Sequence, residues 1–79
     1  MKVRLVAFGI AKEILGSRNL MFEFEGLTIG QLKDQLVKTF PEFARLRSLS
    51  FAVQENYRED HFGLNENDEV VIIPPVSGG

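Results

Sequence analysis

Val70-Val71-Ile72-Ile73 is the most apolar continuous run in the chain, and it constrains the fold more than any other stretch. Four β-branched residues in a row, too few for a helix, read as a strand. With no polar position to turn toward water, that strand is expected in a sheet interior, buried on both faces. Its neighbours must come from earlier in the chain.

The first of these is read at Lys2 to Phe8, where Val3, Leu5 and Ala7 alternate with Arg4, Val6 and Phe8. Both sides carry apolar groups, which suits a central strand or one whose second face meets another protein. Ile10, Ala11, Ile14 and Leu15 have helical spacing, closed by Gly16, and predict a turn or short helix. From Asn19 to Glu25 the alternation is clean, with Leu20, Phe22 and Phe24 inward and Met21, Glu23 and Glu25 toward solvent. The short connection makes this strand the antiparallel partner of the first.

Thr28-Ile29-Gly30-Gln31 matches a capping box, with Leu27 and Leu32 placed as a hydrophobic staple. The helix that follows carries Ile29, Leu32, Leu36, Val37 and Phe40 on one stripe. Lys33, Asp34, Gln35 and Lys38 face away, Asp34 and Lys38 forming an i,i+4 pair, and Pro41 stops the helix. Pro41 to Ser48 reads as a polar connection with a basic tint from Arg45 and Arg47, with room for a turn of helix, and as solvated surface. Leu49, Phe51 and Val53 then mark one face of a strand, Gln54 to His61 a polar loop or edge hairpin, and Leu64 to Asp68 a turn into the last strand, Glu69 to Ile73.

The order is strand, strand, helix, strand, strand (ββαββ). If the last strand lies beside the first, the helix crosses one face of a mixed sheet, an α+β β-grasp arrangement. Residues 1–75 form the expected domain and 76–79 a flexible tail.

At 79 residues, with 44% hydrophobic and 25% charged content, the chain has the composition of one globular domain. A net charge of -2 with scattered Lys and Arg argues against nucleic acid as a main partner. The chain has no cysteine, which rules out a thiolate nucleophile and Cys-based metal sites within it. No run approaches the roughly 20 apolar residues of a membrane helix and no signal-peptide pattern is present, so no membrane partner and a cytoplasmic location are expected.

Few residues suggest chemistry. Asn65-Glu66-Asn67-Asp68-Glu69 is acidic but lacks the glycine and distant glutamate of a calcium loop, so no metal is expected. His61 beside Asp60 has no nucleophile near it in sequence, and Ser77 has no base. Gly9 to Gly16 has the wrong spacing for a phosphate loop. No cofactor and no catalytic residue is therefore assigned to the chain. The unusual feature is the tail, Pro74-Pro75-Val76-Ser77-Gly78-Gly79. Each proline fixes φ and removes a donor, which ends strand pairing and stiffens the exit. Six extended residues reach at most roughly 20 Å. Gly78 and Gly79 let the carboxylate enter a cleft where a Cβ would clash. A frayed terminus is the alternative.

Asp68-Glu69-Val70-Val71-Ile72-Ile73-Pro74-Pro75-Val76-Ser77-Gly78-Gly79 resembles the closing motif of the small, sulfur-carrier subunits of molybdopterin synthase, the MoaD family of the β-grasp, ubiquitin-like superfamily. The resemblance spans the chain, with weaker matches at Phe8, Lys12 to Gly16, Thr28, Leu32 and Pro41. Asn67 stands where the family usually has glycine, and Gln54 where asparagine is frequent; Asn tolerates the left-handed backbone, so the turn at Asn67 is expected to persist.

The resemblance implies that Gly79 is adenylated by a separate ubiquitin-activating-type enzyme (MoeB-like) that uses ATP. It then becomes a thiocarboxylate and passes sulfur to precursor Z, cyclic pyranopterin monophosphate, forming the molybdopterin dithiolene. Val76, Ser77, Gly78 and Gly79 would enter the active site of the large subunit (MoaE-like) of a heterotetrameric synthase, which supplies the catalytic residues. Phe8, Ile73, Pro74 and Pro75 are the expected partner interface, with Val6 a weaker member; a core role remains the alternative for Phe8, Ile73 and Val6. Alternative functions are a sulfur carrier for thiamine thiazole synthesis, a ubiquitin-like protein tag, or an interaction module with an inert tail.

Overall fold

The computed structural model describes residues 1–46 and 48–75. Its elements in order are β1 (Lys2–Ala7), α1 (Gly9–Leu15), β2 (Asn19–Glu23), α2 (Ile29–Thr39), a 3-10 helix (Pro41–Arg45), β3 (Ser50–Val53), β4 (Asn56–Arg58) and β5 (Glu69–Ile73). The sheet order is β2-β1-β5-β3-β4. β1 pairs antiparallel with β2 and parallel with β5, and β3 pairs antiparallel with both β4 and β5. The predicted mixed sheet with the last strand beside the first is therefore present, extended by the short edge strand β4.

Burial divides each strand as its alternation predicts. Val3, Leu5, Ala7, Phe22, Phe51, Val53, Val70 and Ile72 form one buried face, against which Ile29, Leu32 and Leu36 of α2 pack. The expectation that β5 is buried on both faces is corrected: Val71 and Ile73 are only half-buried. A single long helix covers a single face, so the alternate residues of β5 reach the uncovered side.

The capping box forms as expected. The Thr28 hydroxyl accepts from the Gln31 N–H at 3.3 Å, and Gln31 Oε1 accepts from the Thr28 N–H at 3.1 Å. Gln31 Oε1 also accepts from the Leu27 N–H at 2.6 Å. Leu27 itself is 65% exposed, so the expected staple gives little apolar cover. Asp34 and Lys38 do not form the expected ion pair; among the described residues the one contact of this kind sets His61 Nε2 3.7 Å from a Glu59 carboxylate oxygen.

The connection after α2 departs most from its reading. Pro41 ends the α-helix but starts the 3-10 helix, which turns Phe43 into the core at 2% exposure. Residues three apart eclipse in a 3-10 helix, and the Phe43 ring meets Phe40 edge-on with centroids 6.2 Å apart. What read as solvated surface thus contributes a core aromatic.

Candidate functional site: the root of the tail and the uncovered sheet face

β5 runs parallel to β1, so both strands finish at the same end of the sheet. Ile73 lies opposite Ser50 of β3, and Ala7 opposite Ile72 places Phe8 one step further, beside Ile73. Pro74 and Pro75, both half-buried, leave the sheet there. The sequence-predicted residues Phe8, Ile73, Pro74 and Pro75 are brought together at this end. Val76, Ser77, Gly78 and Gly79 lie outside the described residues.

Phe8 is not part of β1. It stands in extended conformation as the residue before α1, and the chain turns at Gly9 with φ 56, a left-handed conformation that glycine adopts without a Cβ clash. The Phe8 ring is 49% exposed, with the Arg18 guanidinium 5.5 Å from its centroid. Neither core nor fully solvated, Phe8 presents half an aromatic surface beside the tail's root.

The uncovered face of the sheet continues from this corner. Pairing register lines up Val6, Val71, Ala52 and Tyr57 across four strands. Val6, Val71, Ala52 and Ile73 are half-buried, Met21 is 50% exposed and Tyr57 71%. Among the described residues no element packs over them, which leaves a contiguous apolar surface of the kind that marks interaction sites. Arg4 and Glu69, opposite each other in register, place a cation and a carboxylate along one side of it, next to Met21.

Sequence reading named Phe8, Ile73 and Val6 for this surface and missed Val71, Ala52, Met21 and Tyr57. Val71 was hidden by the expectation of a doubly buried strand. The available signal was its alternation with Val70 and Ile72 once β5 was placed beside β1. Tyr57 sits in a polar stretch, and only the tight turn at Gln54 and Glu55, both with positive φ (55 and 65), folds it back onto the sheet.

The other polar residues build structure. Asp68 Oδ2 accepts from the Asn65 N–H at 2.8 Å and Glu66 Oε1 from the Lys2 N–H at 3.2 Å. The acidic stretch is thus a turn held by its own carboxylates. Asn67 occupies the left-handed region at φ 68, as expected of a residue standing for glycine. His61 is 83% exposed and its neighbour is Glu59, not Asp60. Among the described residues no three His, Asp or Glu side chains are grouped to hold a metal, and no helix is long and apolar enough to cross a membrane.

A mixed five-stranded sheet crossed by one helix, with its last strand in the middle and running out beside an open apolar face, defines a β-grasp, ubiquitin-like protein. The chain belongs to the ThiS family, whose model matches residues 5–79. A relative from Arabidopsis thaliana named molybdopterin synthase sulfur carrier subunit is 34% identical over 80 residues, covering 99% of this chain and 83% of the relative. Among solved structures, a putative molybdopterin converting factor, subunit 1, from Pyrococcus furiosus superposes with TM-score 0.84 at 22% identity, over 96% of this chain and 99% of that one. Small archaeal modifier protein 1 of H. volcanii gives TM-score 0.78 at 21% identity over 95% and 98%. These two structures agree with the fold.

Proposed function

We propose that the chain is the sulfur carrier subunit of a molybdopterin synthase, with the Gly79 carboxylate as the group that carries sulfur. The observation that carries this reading is the full-length similarity to a protein named for that role, joined to a chain that ends Pro74-Pro75-Val76-Ser77-Gly78-Gly79. The fold gives the similarity a physical sense. β5 is the central strand, hydrogen-bonded on both sides, to β1 and β3, so the tail is rooted in the interior of the sheet.

A carboxylate is a poor electrophile because its charge is delocalised and its leaving group would be oxide. In the proposed sequence, Gly79 attacks the α-phosphorus of ATP on a separate activating enzyme, releasing pyrophosphate and forming an acyl adenylate. Hydrosulfide, or a persulfide whose S–S bond a thiol then reduces, displaces AMP and leaves a terminal thiocarboxylate. The large subunit of the synthase takes up the tail and supplies the catalytic groups for sulfur transfer to cyclic pyranopterin monophosphate; each transfer delivers one sulfur and water returns Gly79 to the carboxylate, so two loaded chains complete one dithiolene. This chain contributes the sulfur and the docking surface. Phe8, Ile73, Val6 and Val71 provide aromatic and aliphatic anchors, the groups that dominate protein interfaces.

Incubation with the activating enzyme, ATP and a sulfur donor is expected to add to the intact mass the difference of one oxygen replaced by sulfur, located at Gly79 by fragmentation. An unchanged mass, with the enzyme shown active on a known carrier, overturns the reading. Isopeptide-linked adducts in place of the thiocarboxylate would make the chain a protein tag.

A further inference from the structure

A groove of about 250 Å³ opens where α2, the 3-10 helix and the segment entering β3 meet. Val37, Leu46 and Leu49, all half-buried, line it with the buried Phe43. Lys33 and Ser48 also line it. The volume falls below the roughly 300–1,000 Å³ of pockets that enclose a whole small molecule. Such a space suits one or two side chains delivered by a larger partner.

Charge narrows the choice of partner. Among the described residues no carboxylate lines the groove, whereas Lys33 forms part of it and Arg45, exposed and outside the lining, sits between the lining residues Ala44 and Leu46. Among the described residues neither cation has an ion-pair partner. A second concavity, about 310 Å³ beside the β3–β4 turn, is lined by Glu55, Asp68 and Glu69 together with Val53, Gln54 and Val71, and its charge is acidic. Position adds a further point: Ser48 and Leu49 lead directly into Ser50, which pairs with Ile73 at the root of the tail. A protein engaged with the tail has this groove within reach from the helical side.

We propose that the groove is a docking site for an extended segment of a partner protein in which acidic residues flank one or two aliphatic ones. The aliphatic side chains fill the space over Val37, Leu46 and Leu49, and the carboxylates meet Lys33 and Arg45. This site is separate from the uncovered sheet face and does not depend on sulfur chemistry at Gly79.

The test is an NMR titration of the full-length ¹⁵N-labelled chain with the blocked peptide Asp-Glu-Leu-Val-Leu-Asp-Glu and its Asn/Gln counterpart. Saturable shifts are expected at the amides of Lys33, Val37, Ala44, Leu46 and Ser48. The neutral peptide should bind several-fold more weakly. Exposed ion pairs contribute about 0.2–1 kcal/mol each, so Lys33→Glu with Arg45→Glu should weaken binding about tenfold at low salt. Retained spectral dispersion will show that this double variant is folded. Equal binding of the two peptides, shifts on Val6 and Val71 instead, or no saturable shift at millimolar peptide would each overturn the proposal.

Discussion

Replacing Phe8 by Ala separates a docking residue from a core residue. Fully burying a phenylalanine side chain is worth about 1.5–3 kcal/mol, and Phe8 is 49% exposed. Truncation should therefore cost about half that, roughly 0.7 to 1.5 kcal/mol. Loss of the Arg18 contact at 5.5 Å adds on the order of 0.5 kcal/mol for an exposed cation–π pair. The sum, about 1.2–2 kcal/mol, corresponds to a fall in Tm of about 5–16 °C for a domain of this size. If Phe8 anchors the large subunit, the same substitution should cost at least about 2 kcal/mol of binding, some thirtyfold in Kd. Chemical denaturation gives the first quantity and calorimetric titration with the large subunit the second, at a temperature where the variant is fully folded. A stability loss of 3 to 5 kcal/mol, as in core Phe→Ala changes, with unaltered affinity, would refute the assignment of Phe8 to the interface.

Removing Gly79 should leave stability within about 0.5 kcal/mol, as for other changes away from packed or hydrogen-bonded groups, and abolish thiocarboxylate formation; unfolding by the same deletion would make the tail structural. Phe43→Ala, at a residue 2% exposed and stacked edge-on against Phe40, should lose about 3–5 kcal/mol in urea denaturation. A loss under about 1 kcal/mol would restore the 3-10 segment to the surface. Thr28→Ala should cost about 1 kcal/mol by removing the acceptor for the Gln31 N–H, again read by denaturation. Val71→Asp should leave the domain folded and weaken binding of the large subunit, whereas Val70→Asp should unfold it, because Val71 is half-buried on the open face while Val70 is in the core. Equal loss of fold in both variants, seen by circular dichroism, would contradict the one-sided burial of β5.

What was legible in the chain was local. Capping at Thr28 and Gln31, the stripe of Ile29, Leu32 and Leu36, the alternation of Val3, Leu5 and Ala7, and the turn at Asn67 each depend on residues within a few positions of one another. Their geometry follows from helix and strand periods and from backbone sterics. The tail's stiff exit at Pro74-Pro75 was likewise expected from two prolines acting through their own backbones, while Val76 to Gly79 lie outside the described residues.

Faces and neighbours were decided by the assembled fold. Val70 and Val71 are chemically identical, yet one is sealed and the other stands half open, because a single long helix supplies cover for one side of a five-stranded sheet. Phe43 follows a helix-stopping proline in a polar stretch, and only the 3-10 turn that Pro41 begins brings its ring to Phe40. Tyr57, Met21 and Ala52 become one surface with Val71 through pairing between strands distant in the chain. Periodicity places a residue on a face, but which face meets water depends on how many layers the rest of the chain can supply.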